Sequence, residues 1–192
     1  MLLYFCMAPA KKGKIEILQT GNPILREVSL AVPLSKIKTL EIKKTISLLQ
    51  KAIAGQSDAA AISAVQIGNL TRLFVISKKV FESDPKNPGE IKSKRDLIFI
   101  NPKIVKVSKN KQLLEEGCLS VRYVYGKVMR PEKVTVEAYD DNGKKFLRGF
   151  SGLLAQIVQH EIDHLDGILF TDKAVDLQKI SPEEYEKMLK SL

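Results

Sequence analysis

The chain has no tryptophan, only two histidines and two cysteines in 192 residues, and aromatic side chains make up just 6% of it. Two thiols do not build a disulfide framework, so an apolar core must hold the fold, and this cysteine usage fits a reducing compartment. Long hydrophobic runs are missing as well. MLLYFCMAPA at the start is too short to span a bilayer, lacks a leading basic segment and runs at once into KKGK. That pattern argues against a membrane protein or a signal peptide and marks residues 1–13 as a loose leader. Met7 can serve as the start, which would leave Cys6 outside the chain. Arginine-rich runs and basic–aromatic alternation are absent too, so no specific DNA binding is expected.

What is present is an ordinary core-forming composition. Hydrophobic residues make up 44% and charged residues 28%, enough apolar material for a single domain over residues 14–192. The net charge of +9 is uneven: residues 1–110 carry 19 basic and 8 acidic side chains, whereas residues 151–192 carry 4 and 8. A basic first half suits weak attraction to a polyanion such as ribosomal RNA; scattered lysines that only keep the surface soluble are the plainer explanation.

SKIKTLEIKKTISLLQKAIAG (35–55) opens on a capping-type serine, repeats apolar residues at helical spacing and stops at Gly55, which predicts a long amphipathic helix. RLFVISK (72–78) and DLIFINPKIVKVSK (96–109) are rich in β-branched and aromatic residues and predict strands, with the polar loop ESDPKNPGEIKSK between them. KVTVEAYDDNGKKFLRGF alternates on both sides of DDNG, a hairpin signal. GLLAQIVQHEIDHLDG changes to helical spacing and stops at Gly167. SPEEYEKMLKSL predicts a closing helix in which Ser181 caps, Pro182 suits the first turn and Glu184 completes a capping box. This order favours an α+β fold over a regular βαβ sheet.

QHEIDH (159–164) holds both histidines. On a helix, His160 and His164 project from one face a turn apart, the spacing that lets two imidazoles reach one metal ion, and Glu161 stands beside them where a general base belongs. A solvated polar surface would explain these residues equally simply, but Leu153, Leu154, Ile157, Val158, Ile162 and Leu165 make the helix apolar over much of its circumference. Buried ionisable neighbours need partners. A catalytic site of this kind takes three protein ligands and one open position. Cys118, in the polar stretch EEGCLS, is the best third candidate, although a free cysteine is usually a small buried hydrophobe. Asp166, Asp172 and Asp176 remain open from residue type alone.

Three stretches now form a pattern. AVQIG (64–68), EGCLS (116–120) and QHEIDHLDG (159–167) resemble, in order, the signature motifs of the peptide deformylase family. The likeness extends over most of residues 16–175 and includes NPILREVS and EKVTVEAYDDNGKKF. It implies an α+β fold of mixed and antiparallel sheets partly enclosing a central metal-binding helix, with a C-terminal helix. The implied reaction is removal of the formyl group from the N-terminal methionine of new polypeptides, with release of formate. The resemblance makes Cys118, His160 and His164 the metal ligands, Glu161 the acid–base residue, Leu119 a backbone N–H donor and Gln66 a side-chain amide donor. Ala61, Ile62, Leu153, Gln156 and Ile157 are expected at the substrate pocket; the last three lie one and two turns before His160 on its helix, where they would line the methionine side chain, with core packing as the competing role. Glu116 and Arg130 match a supporting pair of the family.

The chain departs from the pattern in places. The family's first motif reads GxGxAAxQ, whereas AAAISAVQ (59–66) puts alanine at both glycine positions, Ala59 and Ala61, and serine at 63. An added Cβ there would reshape the substrate groove. After EGCLS, Arg122 takes the place of a proline, with tyrosines at 123 and 125. These changes bear on substrate preference and leave the metal chemistry intact.

The resemblance implies one divalent ion, with Fe2+ expected; mixed thiolate and imidazole ligands also accept Zn2+, Ni2+ or Co2+. N-formyl-methionyl nascent peptides are the expected partners, with weak ribosome association following from that substrate, no membrane, and a bacterial or viral-host cytoplasm as the location. Two other classes compete: an HExxH metallopeptidase, which would draw its third ligand from a downstream glutamate or histidine, and a non-catalytic metal-stabilised binding module, which would not need Glu161 or Gln66.

Overall fold

The computed structural model describes residues 15–82 and 93–190. The expected leader, with Cys6 and Met7, and residues 83–92 of the expected loop lie outside the described residues. In chain order the elements are α1 (Leu40–Ala54), β1 (Ala61–Ser63), β2 (Leu73–Ile76), α2 (Lys79–Glu82), β3 (Leu97–Val107), β4 (Lys111–Cys118), β5 (Val121–Pro131), β6 (Lys133–Tyr139), β7 (Lys145–Ser151), α3 (Gly152–Leu165), β8 (Val175–Lys179) and α4 (Pro182–Lys190).

Five strands form an antiparallel sheet in the order β1-β2-β3-β6-β7, and β4-β5-β8 form a second antiparallel sheet. The architecture is α+β, as the sequence implied. In β2 the side chains alternate between two helices: Phe74 and Ile76 join the cluster around Val158 and Ile162 of α3, while Leu73 and Val75 join Ile46, Leu49 and Ile53 of α1. The same two-residue period splits β1, so Ala61 faces α3 and Ile62 faces α1. Phe74 and Phe99 stack at 4.5 Å between ring centroids beneath α3. Burying each side chain of this size contributes about 1.5–3 kcal/mol, and Val158 and Phe74 are fully enclosed. A smaller third cluster, Leu25, Val121, Val128, Leu169 and Phe170, sits against the β4–β5 hairpin.

β7 runs straight into α3. The reversal from strand to helix falls on Gly152, whose φ of +54° is a conformation glycine reaches without a Cβ penalty. That corner fixes where the helix starts and therefore which turn presents His160 and His164.

Several boundaries differ from the sequence expectation. Helix α1 starts after Thr39, whose side chain makes no capping bond, rather than at Ser35, because Leu34–Lys36 closes a separate 3-10 turn after Pro33. The strands at 72–78 and 96–109 shorten to β2 and β3, and residues 111–131, for which no strands were expected, form the long β4–β5 hairpin. The closing helix follows the expectation: the Ser181 N–H donates to Glu184 Oε2 at 2.7 Å and the Glu184 N–H to Ser181 Oγ at 3.2 Å.

Candidate metal centre and active site

Cys118 ends β4, and His160 and His164 lie a turn apart on α3. The fold brings them together: one ligand atom from each lies within 4.8 Å of the others, and Cys118 Sγ is 3.1 Å from His164 Nε2. The alternative third ligands are spent elsewhere. Asp166 pairs with Arg72 at 2.6 Å, Asp172 with Arg26, and Asp176 with Lys127 at 3.3 Å.

One imidazole is oriented from behind, while His164 Nδ1 is buried with no hydrogen-bond partner within the protein. His160 Nδ1 meets Glu116 Oε2 at 2.9 Å, which leaves Nε2 to face Cys118. Glu116 is itself held in a two-pronged pair by Arg130, at 2.8 and 2.9 Å, and Arg130 continues to Asp163 at 2.5 Å and Asp163 to Lys173 at 2.6 Å. Both members of the Glu116–Arg130 pair are almost fully buried. Burial alone would raise the Glu116 carboxyl, but the Arg130 hydrogen bonds and His160 outweigh it and hold the group at about 2. A fixed charge behind a metal-binding histidine sets its tautomer and its direction.

Burial also opposes ionisation of Cys118, yet His164 and His160 hold its thiol well below the ordinary range. A thiolate with two imidazoles is the donor set of a borderline-soft divalent ion. Glu161 is buried and its Oε2 has no hydrogen-bond partner within the protein. Burial raises its carboxyl above the ordinary value, with His164 and His160 opposing. An orphaned buried carboxyl oxygen beside such a donor set fits a bound ion and its water, since unpaired buried polar atoms are rare without a function.

Gln66 sits on the 3-10 turn Ala64–Ile67 that follows β1. Its Oε1 accepts from the Ser63 N–H at 2.9 Å and from Ser63 Oγ at 3.1 Å, and its Nε2 donates to Ser120 Oγ at 3.1 Å and stands 3.7 Å from Cys118 Sγ. The amide nitrogen is therefore aimed at the centre. Leu119 follows Cys118 directly, with its carbonyl held by Gln19 Nε2 at 3.0 Å and the Ser120 N–H donating to the Cys118 sulfur at 3.3 Å.

A cavity of about 340 Å³ opens onto this cluster, lined in part by Ala61, Leu119, Leu153, Gln156 and Ile157. Ile62 is the exception among the expected pocket residues: fully buried, it packs against α1, because β1 turns alternate side chains to opposite faces. Ala59 and Ala61 are buried with no positive φ, so neither position demands glycine's freedom. Ser120 and Asp163 support the site without having been singled out from sequence, as do Asp58 and Tyr185 at its mouth, while Ser63, noted only as a departure from the motif, holds the Gln66 amide.

Residues 14–180 match the polypeptide deformylase family. The chain belongs to that family. It is 40% identical over 165 residues to peptide deformylase 2 of Clostridium acetobutylicum, covering 85% of this chain and 97% of that one. Among solved structures, the Met-Ala-Ser-bound class I type b peptide deformylase of Acinetobacter baumannii superposes with a TM-score of 0.74 at 27% identity, over 85% of this chain and 99% of that one. The actinonin complex of the Synechococcus elongatus enzyme gives 0.70 at 31% identity, over 99% and 93%. As a peptide deformylase family member the chain is a metal-dependent hydrolase of the N-terminal processing class, acting on peptides. No helix among the described residues is long and apolar enough to cross a membrane.

Proposed function

We propose that this chain removes the formyl group from the N-terminal methionine of newly made polypeptides, using Cys118, His160 and His164 to hold one ferrous ion. The observation that carries the reading is that Cys118, His160, Glu161 and Gln66 border one cavity, with His164 buried behind them to complete the ligand set and Glu161 Oε2 left without a partner. When bound, the dication supplies Lewis acidity that makes an attacking water acidic near neutral pH.

The chain's own residues would do the rest. Glu161 takes the proton of the attacking water and delivers it to the leaving amine; without that delivery the tetrahedral intermediate returns to substrate, because an amine anion is a very poor leaving group. The raised Glu161 carboxyl suits a group that must both accept and give a proton. Gln66 Nε2 and the Leu119 N–H stand as donors to the oxyanion, where one donor is worth about 3–4 kcal/mol of barrier. Leu153, Gln156 and Ile157 on α3 line the cavity and would border the methionine side chain there. A thiolate third ligand in place of a downstream carboxylate or histidine disfavours a metallopeptidase, and a binding module has no use for Glu161.

Cytoplasmic location and contact with the ribosome through the lysines of residues 1–110 follow from such a substrate. The test is incubation of ferrous-loaded protein, kept anaerobic, with formyl-Met-Ala-Ser. Equal release of formate and free amine is expected; cleavage of internal peptide bonds, or no release by metal-loaded protein, contradicts the reading.

A further inference from the structure

The mouth of the cavity is built from residues that carry no role in the chemistry above. Arg122 Nη1 meets Asp58 Oδ2 at 2.7 Å and Nη2 meets Gln56 Oε1 at 2.8 Å. Arg122 also donates to the Tyr185 hydroxyl, which in turn donates to Asp58, and its guanidinium lies 5.7 Å from the Tyr185 ring centre. Three segments distant in sequence meet here: the loop after α1, the start of β5, and α4.

Helix α4 depends on this meeting. From Pro182 to Lys187 Tyr185 alone is buried, at 9% exposure, and the preceding strand β8 is exposed throughout. A helix of nine residues is too short to persist in water without tertiary contacts. Its contact surface is an aromatic one. Arg122, Tyr123 and Val124 stand outside the β4–β5 ladder, and Tyr123 takes a φ of +65° there. A bulky residue holds that conformation only where its surroundings enforce it. The Ile180 N–H donates to the Tyr123 carbonyl at 2.9 Å, and the Tyr123 ring meets Tyr185 edge-on at 5.3 Å. Tyr125 packs against Gly117, where a Cβ would come within 2.7 Å of its ring.

Tyr123, Tyr125 and Tyr185 line the same cavity as Cys118 and Glu161. We propose that Arg122 and Asp58 act as positioning residues that latch Tyr185, and with it the C-terminal helix, to the mouth of the site. The wall so formed by Tyr123 and Tyr185 selects an aromatic or large apolar side chain at the residue following the first methionine. The inference rests on the deformylase reading for the direction of the peptide: with its first residue at Leu153 and Ile157 and its terminus at Cys118, the chain must leave past the tyrosines. The rings offer edge and face contacts that a small side chain cannot use.

The experiment measures binding of the deformylated products to the metal-loaded full chain by calorimetry, using Met-Phe-Ser, Met-Ala-Ser and methioninamide. Wild type is expected to prefer Met-Phe-Ser over Met-Ala-Ser by about tenfold. Arg122→Gln and Tyr185→Ala should reduce that preference to within twofold, and Tyr185→Phe, which keeps the ring and loses the hydroxyl, should fall between. Methioninamide reaches no further than the first residue and is the control: its affinity should stay within twofold in all three variants. With formylated peptides the variants should raise KM for the phenylalanine substrate and leave kcat alone. A wild type without preference, variants that keep it, or equal losses for methioninamide and tripeptide would overturn the latch. Product binding needs no turnover, so absence of formate release would sink the deformylase reading and leave this result interpretable.

Discussion

Glu116 Oε2 stands 2.9 Å from His160 Nδ1 while both of its oxygens are held by Arg130. One buried carboxylate therefore ties a metal-binding histidine on α3 to the strand that follows Cys118. Replacing it by alanine leaves Arg130 with Asp163 only and His160 without its acceptor. Glu116→Ala is expected to cost about 3–5 kcal/mol of stability, the usual result of breaking a buried pair, and to weaken metal affinity by about 10–100-fold. Urea unfolding and metal competition titration check the two effects separately.

The same carboxyl gives the fold an acid limit. Its value drops from 4.5 to about 2 on folding, so the stabilisation is complete above pH 4.5 and disappears as pH falls toward 2. The size is on the order of 3 kcal/mol from the shift. Unfolding curves from pH 7 to pH 2.5 in the presence of chelator should show this loss, and Glu116→Gln should flatten it.

Gln66 is expected to matter to the barrier and little to binding. Ser63 and Ser120 hold its amide from both ends. Gln66→Ala should lower kcat by about 100- to 1,000-fold, the cost of one lost oxyanion donor, with metal content unchanged by elemental analysis. Glu161→Gln should lower kcat by about 100- to 10,000-fold for loss of the proton carrier, again with metal retained.

Ile62 and Ile157 separate core from pocket. Ile62 is sealed against α1, whereas Ile157 borders the cavity. Ile62→Ala is expected to destabilise by about 2–5 kcal/mol without changing KM, and Ile157→Ala to raise KM for formyl-Met peptides. Thermal melts and steady-state kinetics on both variants decide it.

Much of this was legible in the sequence because α3 states its own chemistry: the histidine spacing, the adjacent glutamate and the apolar remainder of QHEIDH's helix need no tertiary information. The cap at Ser181 and the DDNG hairpin are likewise local signals. What was missed is non-local. The β4–β5 hairpin lacks a Gly, Pro or Asn turn, and the excursion at Arg122–Val124 breaks its alternation. Strand β1 is three residues long, too short for a period to say which of Ala61 and Ile62 faces the site. Cys118 was already the best third ligand by sequence, but the three aspartates stayed open there because their cationic partners are distant in the chain or on another element. Arg122 was read as a departure from a family pattern; its three partners lie more than sixty positions away in sequence.

X-ray absorption at the metal edge tests the central claim most directly. With zinc in place of iron, the expected coordination is one sulfur at about 2.3 Å, two nitrogens near 2.0–2.1 Å and at least one solvent oxygen, and the ferrous protein should show the same donor set, with the sulfur signal gone in Cys118→Ser. A shell without sulfur, or one closed entirely by protein atoms, would contradict the account.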